Sequence, residues 1–180
     1  MGFLKTFSLL LLFTGFAACN NTVTQKTTTA TQAAPPTAAT PETGATMLPS
    51  FAMADVNGKT VDLQQFRGKK LFVNLWATWC PPCRAEMPSI EKLFHAADKD
   101  KAQFVLLSLD SDFETAKKYV QARNLSMPIF YPAGNMPKLF EVEGIPATFI
   151  FNEEGKLIEQ RVGSDNYNTP AYRKLFGAVQ

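Results

Sequence analysis

Two cysteines separated by two residues, Cys80 and Cys83, are the side chains of this sequence best suited to chemistry. They stand where an apolar strand is predicted to end and a helix to begin. The free N–H groups and the dipole of a helix N-terminus lower the pKa of a thiol placed there, and the thiolate is the reactive form. The spacing therefore predicts that Cys80 attacks a disulfide and that Cys83 resolves the mixed disulfide that forms.

A fixed structural disulfide is the alternative interpretation of this pair. Two cysteines so close in sequence enclose almost no loop, so a bridge between them constrains the unfolded chain very little. Pro81 and Pro82, which separate the cysteines, stiffen the turn and offer no N–H to a thiolate. These features favour a redox pair over a structural bridge.

The elements that must position the cysteines can be predicted from hydrophobic runs and turn residues. Leu71–Ala77 has the length and apolar character of a strand buried on both faces, and Pro82 begins a helix that extends to about Ala97. The other predicted elements are a hairpin of Phe51–Ala54 and Thr60–Asp62, a strand Phe104–Leu109, a helix Asp112–Arg123, a strand Ile129–Tyr131, a short helix Met136–Val142, a hairpin of Ala147–Asn152 and Lys156–Val162, and a helix Thr169–Gly177. This order predicts an α/β fold with a mixed central sheet and helices on both faces.

The beginning of the chain has the composition of an export signal. Residues 1–18 carry one charge, Lys5, followed by an apolar run that is too short to span a membrane. Ala17-Ala18 directly before Cys19 resembles a bacterial lipoprotein signal, although Phe16 replaces the usual Leu. The pattern predicts lipid attachment at Cys19, with an ordinary secretory signal as the alternative.

Residues 19–47 are predicted to be a flexible tether, and residues 48–180 a single working domain. Of residues 20–47, ten are Thr, six are Ala and three are Pro, so this stretch cannot bury enough apolar surface to fold. Lys and Arg number 18 against 16 Asp and Glu, and this balance argues against a nucleic-acid partner. The three cysteines and one histidine match no zinc-binding spacing, so neither a metal nor a cofactor is expected.

Two distant motifs carry a resemblance to a known family. The run VNLWATWCPPCRAEMP at residues 73–88 and the run GIPATF at residues 144–149 resemble the thioredoxin superfamily, and more closely the bacterial membrane-anchored thiol–disulfide oxidoreductases of the TlpA/ResA type. The resemblance covers residues 48–180. It implies a thioredoxin-like three-layer α/β/α sandwich with an N-terminal hairpin and a helix–strand insertion at residues 110–142.

The resemblance also implies roles for residues around the cysteines. Pro146 would be the cis-proline that faces Cys80, and the backbone of Ile145 would pair with an extended substrate chain. Trp79 would cover Cys80 and form part of the docking surface, together with Pro81.

Glu86 is the residue to which the resemblance assigns proton transfer and tuning of the cysteines. It follows Cys83 by three positions and therefore lies on the same face of the helix. A solvated acid near the beginning of the helix is the alternative interpretation. Thioredoxin has a buried Asp where this chain has Asn74, and an amide cannot accept a proton, which favours Glu86 as the base.

The predicted function is reduction of disulfides in exported proteins, with apo-cytochrome c as one such substrate. The resemblance implies a monomer anchored by lipid in the bacterial cell envelope, facing the periplasm or the outer side of the cytoplasmic membrane, and re-reduced by a membrane thiol-electron donor. A disulfide-forming oxidase or isomerase and a non-catalytic binding lipoprotein remain as alternatives. A peroxidase of the peroxiredoxin kind is disfavoured, because Val73 and Ala77 occupy the positions where its motif requires Pro and Thr.

Overall fold

The computed structural model describes Gly2 and residues 45–177. The predicted signal peptide, the lipidation residue Cys19 and the tether as far as residue 44 lie outside the described residues, apart from Gly2. The seven strands are β1 (Ala52–Ala54), β2 (Thr60–Asp62), β3 (Lys70–Trp76), β4 (Ala102–Ser108), β5 (Ile129–Pro132), β6 (Ala147–Phe151) and β7 (Leu157–Val162). The three α-helices are α1 (Pro81–Ala96), α2 (Phe113–Ala122) and α3 (Pro170–Leu175).

The strands form one mixed sheet in the order β2-β1-β5-β4-β3-β6-β7. Strands β3, β4 and β5 run parallel, and the remaining neighbours are antiparallel. The two central strands β3 and β4 are buried along almost their whole length, as their continuous apolar runs predicted. The thioredoxin-like α/β fold and its N-terminal hairpin are therefore confirmed, and α2 with β5 forms the predicted insertion.

The layers on the two faces of the sheet differ in kind. All three α-helices pack into the cluster on one face, around Phe72, Trp76 and Phe104. The other face is covered by two 3-10 turns, Leu63–Phe66 and Lys138–Phe140, so the prediction of helices on both faces holds for α-helices on one face only. The second turn replaces the helix predicted at Met136–Val142, because Pro137 disfavours a helical backbone at the residue before it.

The chain enters the domain along the edge strand β7. Met47 forms an isolated bridge with Lys156, and the Leu48 N–H donates to the Gly155 carbonyl at 2.7 Å. The Leu157 N–H in turn donates to the Thr46 carbonyl at 2.8 Å. Pairing with the sheet thus begins two residues before the predicted domain boundary. No helix within residues 45–177 has the length and apolar character needed to cross a membrane.

Candidate active site

Cys80 stands at the junction between β3 and α1. After β3 ends at Trp76, the chain turns through Ala77–Cys80, and the turn is closed by the Cys80 N–H donating to the Ala77 carbonyl at 3.2 Å. Cys80 is the N-cap of α1, and Pro81 is its first residue, a position where the missing proline N–H costs nothing. The sequence therefore places this sulfur at the positive end of a sixteen-residue helix, as predicted.

Cys80 and Cys83 are joined by a disulfide with an S–S distance of 2.02 Å. Both residues are buried, with exposures of 3% for Cys80 and 0% for Cys83. The Cys83 N–H donates to Cys80 Sγ at 3.2 Å and is the one donor to that sulfur among residues 45–177. This bond would also stabilise a Cys80 thiolate after reduction.

The loop that precedes β6 faces the disulfide. Cys80 Sγ lies 3.7 Å from the Ile145 carbonyl oxygen, and the Ile145–Pro146 peptide bond is cis, as the resemblance implied. Trp79 is 64% exposed beside Cys80, whereas Trp76 is fully buried in the core. The structure thus brings Cys80, Cys83, Ile145 and Pro146 together, with Trp79 on the adjoining surface.

Glu86 is a buried carboxyl, not a solvated helix acid. The Asn74 Nδ2 donates to its Oε1 at 2.8 Å, and the Asp165 N–H donates to its Oε2 at 3.2 Å. Burial raises the pKa of Glu86 to about 7, although both hydrogen bonds act in the opposite direction. The side chain can therefore accept or release a proton near neutral pH.

A polar network extends from Glu86 into the core. The Asn74 Nδ2 also donates to Thr148 Oγ1 at 2.9 Å, and the Tyr167 hydroxyl donates to the same oxygen at 2.7 Å. The Asn74 Oδ1 is buried and has no partner among the described residues. Rotation of this amide by 180° would present Oδ1 to a protonated Glu86. Asn74 can therefore donate a hydrogen bond to the ionised carboxylate or accept one from the protonated carboxyl. The predictions missed Thr148, Tyr167 and Asp165, and no local pattern marks the last two.

His95 lies in a polar cluster with Glu91 and Ser126 that does not have the geometry of a catalytic triad. His95 Nε2 is 2.8 Å from Glu91 Oε1 and 3.1 Å from Ser126 Oγ, while Ser126 Oγ donates to Glu91 Oε1 at 2.6 Å. A Ser–His–acid triad needs the acid and the serine on opposite ring nitrogens, and here both contact the same one. The cluster ties α1 to the segment before β5 through the bonds of Ser126 to Glu91.

Asp110 precedes α2 but does not cap it. Asp112 is the N-cap and accepts the Glu114 N–H at 3.1 Å. Asp110 is buried and instead accepts hydrogen bonds from Thr78, two residues before Cys80.

Comparisons with known proteins agree with this geometry. The family model described as Redoxin matches residues 42–175. The chain is 31% identical over 116 residues to the thiol-disulfide oxidoreductase ResA of Bacillus thuringiensis subsp. konkukian, an alignment that covers 64% of this chain and 67% of that protein.

Solved structures share the fold. StoA from Bacillus subtilis superposes with a TM-score of 0.57 at 24% identity, covering 66% of this chain and 90% of that structure. A thioredoxin-family thiol:disulfide interchange protein from Chlorobium tepidum TLS superposes with a TM-score of 0.62 at 24% identity, covering 76% and 99%. With its own Cys80–Cys83 disulfide at the helix N-terminus, the chain belongs to the Redoxin family and is a thioredoxin-superfamily thiol–disulfide oxidoreductase of the TlpA/ResA type.

Proposed function

We propose that this protein reduces disulfides of exported proteins through the Cys80/Cys83 dithiol. The direction of the redox reaction is inferred from the hydrogen bonding of Cys80 Sγ. Within residues 45–177, the Cys83 N–H is the one donor to this sulfur. Pro81 and Pro82 lack the N–H groups that this end of a helix would otherwise offer. A strong oxidant owes its high potential to a strongly stabilised reduced form, and one donor supports a mildly stabilised thiolate instead.

The first step forms a mixed disulfide. The Cys80 thiolate attacks one sulfur of the substrate disulfide, the substrate S–S bond breaks, and the other substrate sulfur leaves as a thiolate that takes a proton from water. The helix dipole and the Cys83 N–H stabilise the Cys80 thiolate before the attack.

The second step releases the reduced substrate. The Glu86 carboxylate accepts the proton of the Cys83 thiol, and the Cys83 thiolate attacks Cys80 Sγ. The Cys80–substrate bond breaks, and the second substrate sulfur leaves and is protonated. The substrate has gained two electrons, and the protein is left with the Cys80–Cys83 disulfide seen in the structure.

Substrate docking is assigned to the surface around the disulfide. Trp79 and Pro81, the neighbours of Cys80 in the chain, are exposed. The Ile145 carbonyl oxygen lies 3.7 Å from Cys80 Sγ, and Pro146, which follows it, is buried. An extended substrate segment would pair with the backbone of Ile145 and rest its side chains on the indole of Trp79.

Replacing Trp79 with alanine tests this docking surface. We expect the rate constant for reduction of a short peptide closed by one disulfide to fall roughly tenfold, because an aromatic contact surface is lost. Reduction of a small aromatic disulfide, which lacks a peptide segment to dock, should change much less. Stopped-flow measurements with pre-reduced protein give both rate constants, and equal losses for the two substrates would contradict the docking role.

The cellular setting belongs to the same proposal. Lipid attachment at Cys19 would hold a monomer in the bacterial cell envelope, facing the periplasm or the outer side of the cytoplasmic membrane. There it would act on oxidised exported proteins, apo-cytochrome c among them, and be re-reduced by a membrane thiol-electron donor. The similarity to ResA supports this assignment.

The reduction potential of the Cys80–Cys83 pair tests the direction of the reaction. The full chain is equilibrated with thiol–disulfide buffers, its thiols are alkylated, and the peptide that contains both cysteines is quantified, so that Cys19 does not contribute. We expect a value near the −270 mV of thioredoxin. A value near −120 mV would instead assign the protein to the disulfide-forming oxidases.

The similarity to ResA argues against the non-catalytic binding lipoprotein. Cys80→Ser checks this point, because the substitution would leave a purely binding role intact and should abolish reductase activity.

A further inference from the structure

The turn that carries Trp79 is held against the end of β4 by one buried carboxylate. In the parallel pair β3–β4, Trp76 is opposite Ser108, so the same register places Thr78 opposite Asp110, two residues beyond each strand. The last main-chain bond between the two segments is donated by the Leu109 N–H to the Trp76 carbonyl at 2.8 Å, and beyond it the Asp110 side chain makes the connection.

Every polar contact of this carboxylate lies on the strand ends or the turn. The Thr78 N–H donates to both carboxylate oxygens at 3.1 Å, and the Thr78 hydroxyl donates to Oδ1 at 2.7 Å. The Ser108 hydroxyl donates to Oδ2 at 2.9 Å. Asp110 is only 5% exposed, and no Lys or Arg of the described residues forms a salt bridge with it.

A buried carboxylate costs free energy, and three donors among the described residues offset that cost without help from a Lys or Arg of that part of the chain. Two of those donors belong to Thr78, which is the second residue of the turn Ala77–Cys80. Trp79, the third residue of that turn, is 64% exposed and belongs to neither hydrophobic cluster of the described residues. The orientation of its indole therefore depends on how firmly Thr78 is held.

We infer that Asp110 is a positioning residue for substrate recognition: through Thr78 it fixes the turn that presents Trp79 beside Cys80, and so favours substrates with a peptide segment to dock. The inference rests on the docking role of Trp79 in the proposed function. It assigns Asp110 no contact with the substrate and no proton transfer.

A double-mutant cycle between Asp110 and Trp79 in the full chain tests this inference. The quantity measured is the ratio of the rate constants for the cyclic peptide disulfide and the small aromatic disulfide. We expect Asp110→Ala to lower this ratio roughly tenfold, because hydrogen bonds to a charged group are lost. In the Trp79→Ala background the same substitution should lower the ratio little further, because its effect acts through the indole.

Two variants distinguish the loss of Trp79 positioning from a general disturbance of the fold. Asp110→Asn keeps an acceptor for Thr78 and should recover most of the ratio, whereas Asp112→Asn, which leaves a good cap on α2 and does not contact the turn, should match the wild type. The heteronuclear NOE of the Trp79 indole N–H should fall in Asp110→Ala and recover in Asp110→Asn. If Asp110→Ala fails to fold, Thr78→Val removes one donor and should lower both the ratio and the NOE by a smaller factor.

The outcomes are distinguishable. If Trp79→Ala lowers the ratio but neither Asp110→Ala nor Thr78→Val does, the positioning inference is overturned and the docking proposal stands. The same conclusion follows if the effects of Asp110→Ala and Trp79→Ala on the ratio are fully additive. If Trp79→Ala leaves the ratio unchanged, the docking proposal fails and this inference fails with it.

Discussion

Replacing Cys83 with serine should leave a protein that reacts once with a disulfide and then stops. Cys80 keeps its place at the N-terminus of α1 and can still form the mixed disulfide, but no thiol remains in the active site to resolve it. Steady-state turnover should fall by roughly a thousandfold or more, as expected when a group that acts as a covalent catalyst is removed. Mass spectrometry should find the substrate attached to the peptide that contains Cys80.

Cys80→Ser is the matched control for this trap. It removes the attacking sulfur and leaves a fully buried Cys83, so it should accumulate no adduct and should have no turnover. Repeated turnover by Cys83→Ser in the absence of added thiols would contradict the assigned order of the two cysteines, as would an adduct on Cys83 in the Cys80→Ser variant.

Replacing Glu86 with glutamine should lower the resolution rate roughly a hundredfold at neutral pH, the range expected for loss of a general base. The pKa of Glu86 is raised to about 7, mainly by burial, so the wild-type rate should rise as pH increases through 7 and Glu86 ionises. That inflection should be missing from the variant. Stopped-flow release of the second substrate thiol, measured from pH 5 to 9, tests both points, and an unchanged pH profile would exclude Glu86 as the base.

The same substitution should change stability in a pH-dependent way. In the unfolded chain Glu86 ionises near its ordinary pKa of 4.5, and in the folded protein only near 7, so the folded state holds the extra proton between these values. The free energy of unfolding of the wild type therefore decreases as pH rises from 4.5 to 7, by about 3 kcal/mol from this group. Glu86→Gln removes the decrease, and urea unfolding at pH 8 should show a more stable variant.

Glu91, on the same helix as Glu86, is a control because its pKa is shifted in the opposite direction. Burial raises the pKa of Glu91, but hydrogen bonds from Ser126, His95 and Met127 outweigh it and hold the pKa below its usual range. A lowered pKa stabilises the folded state once the unfolded carboxyl is ionised. Glu91→Gln should therefore destabilise the protein at pH 8, and a similar response of the two variants would contradict the burial argument.

Local residue patterns are sufficient to predict several parts of this protein. A helix start after an apolar strand is recognisable from hydrophobic runs and prolines, and two cysteines at that point specify the redox pair and its place on α1. Nearly every strand and helix was predicted within a few residues for the same reason. The prediction of a helix at Met136–Val142 was wrong, and the structure has the turn Lys138–Phe140 there. A short apolar stretch after Pro137 contains too few residues to distinguish one turn from a helix.

The surroundings of the cysteines depend on contacts between segments that are distant in the sequence. Glu86 could have been a solvated acid, and it is buried because Asn74, twelve positions earlier, and Asp165, seventy-nine positions later, close over it. Asp110 reaches Thr78 across thirty-two positions only because β3 and β4 are parallel neighbours in one register. Burial and partner choice set the pKa of Glu86 and the place of Trp79, and both depend on which distant segments meet, a property that no local pattern of residues encodes.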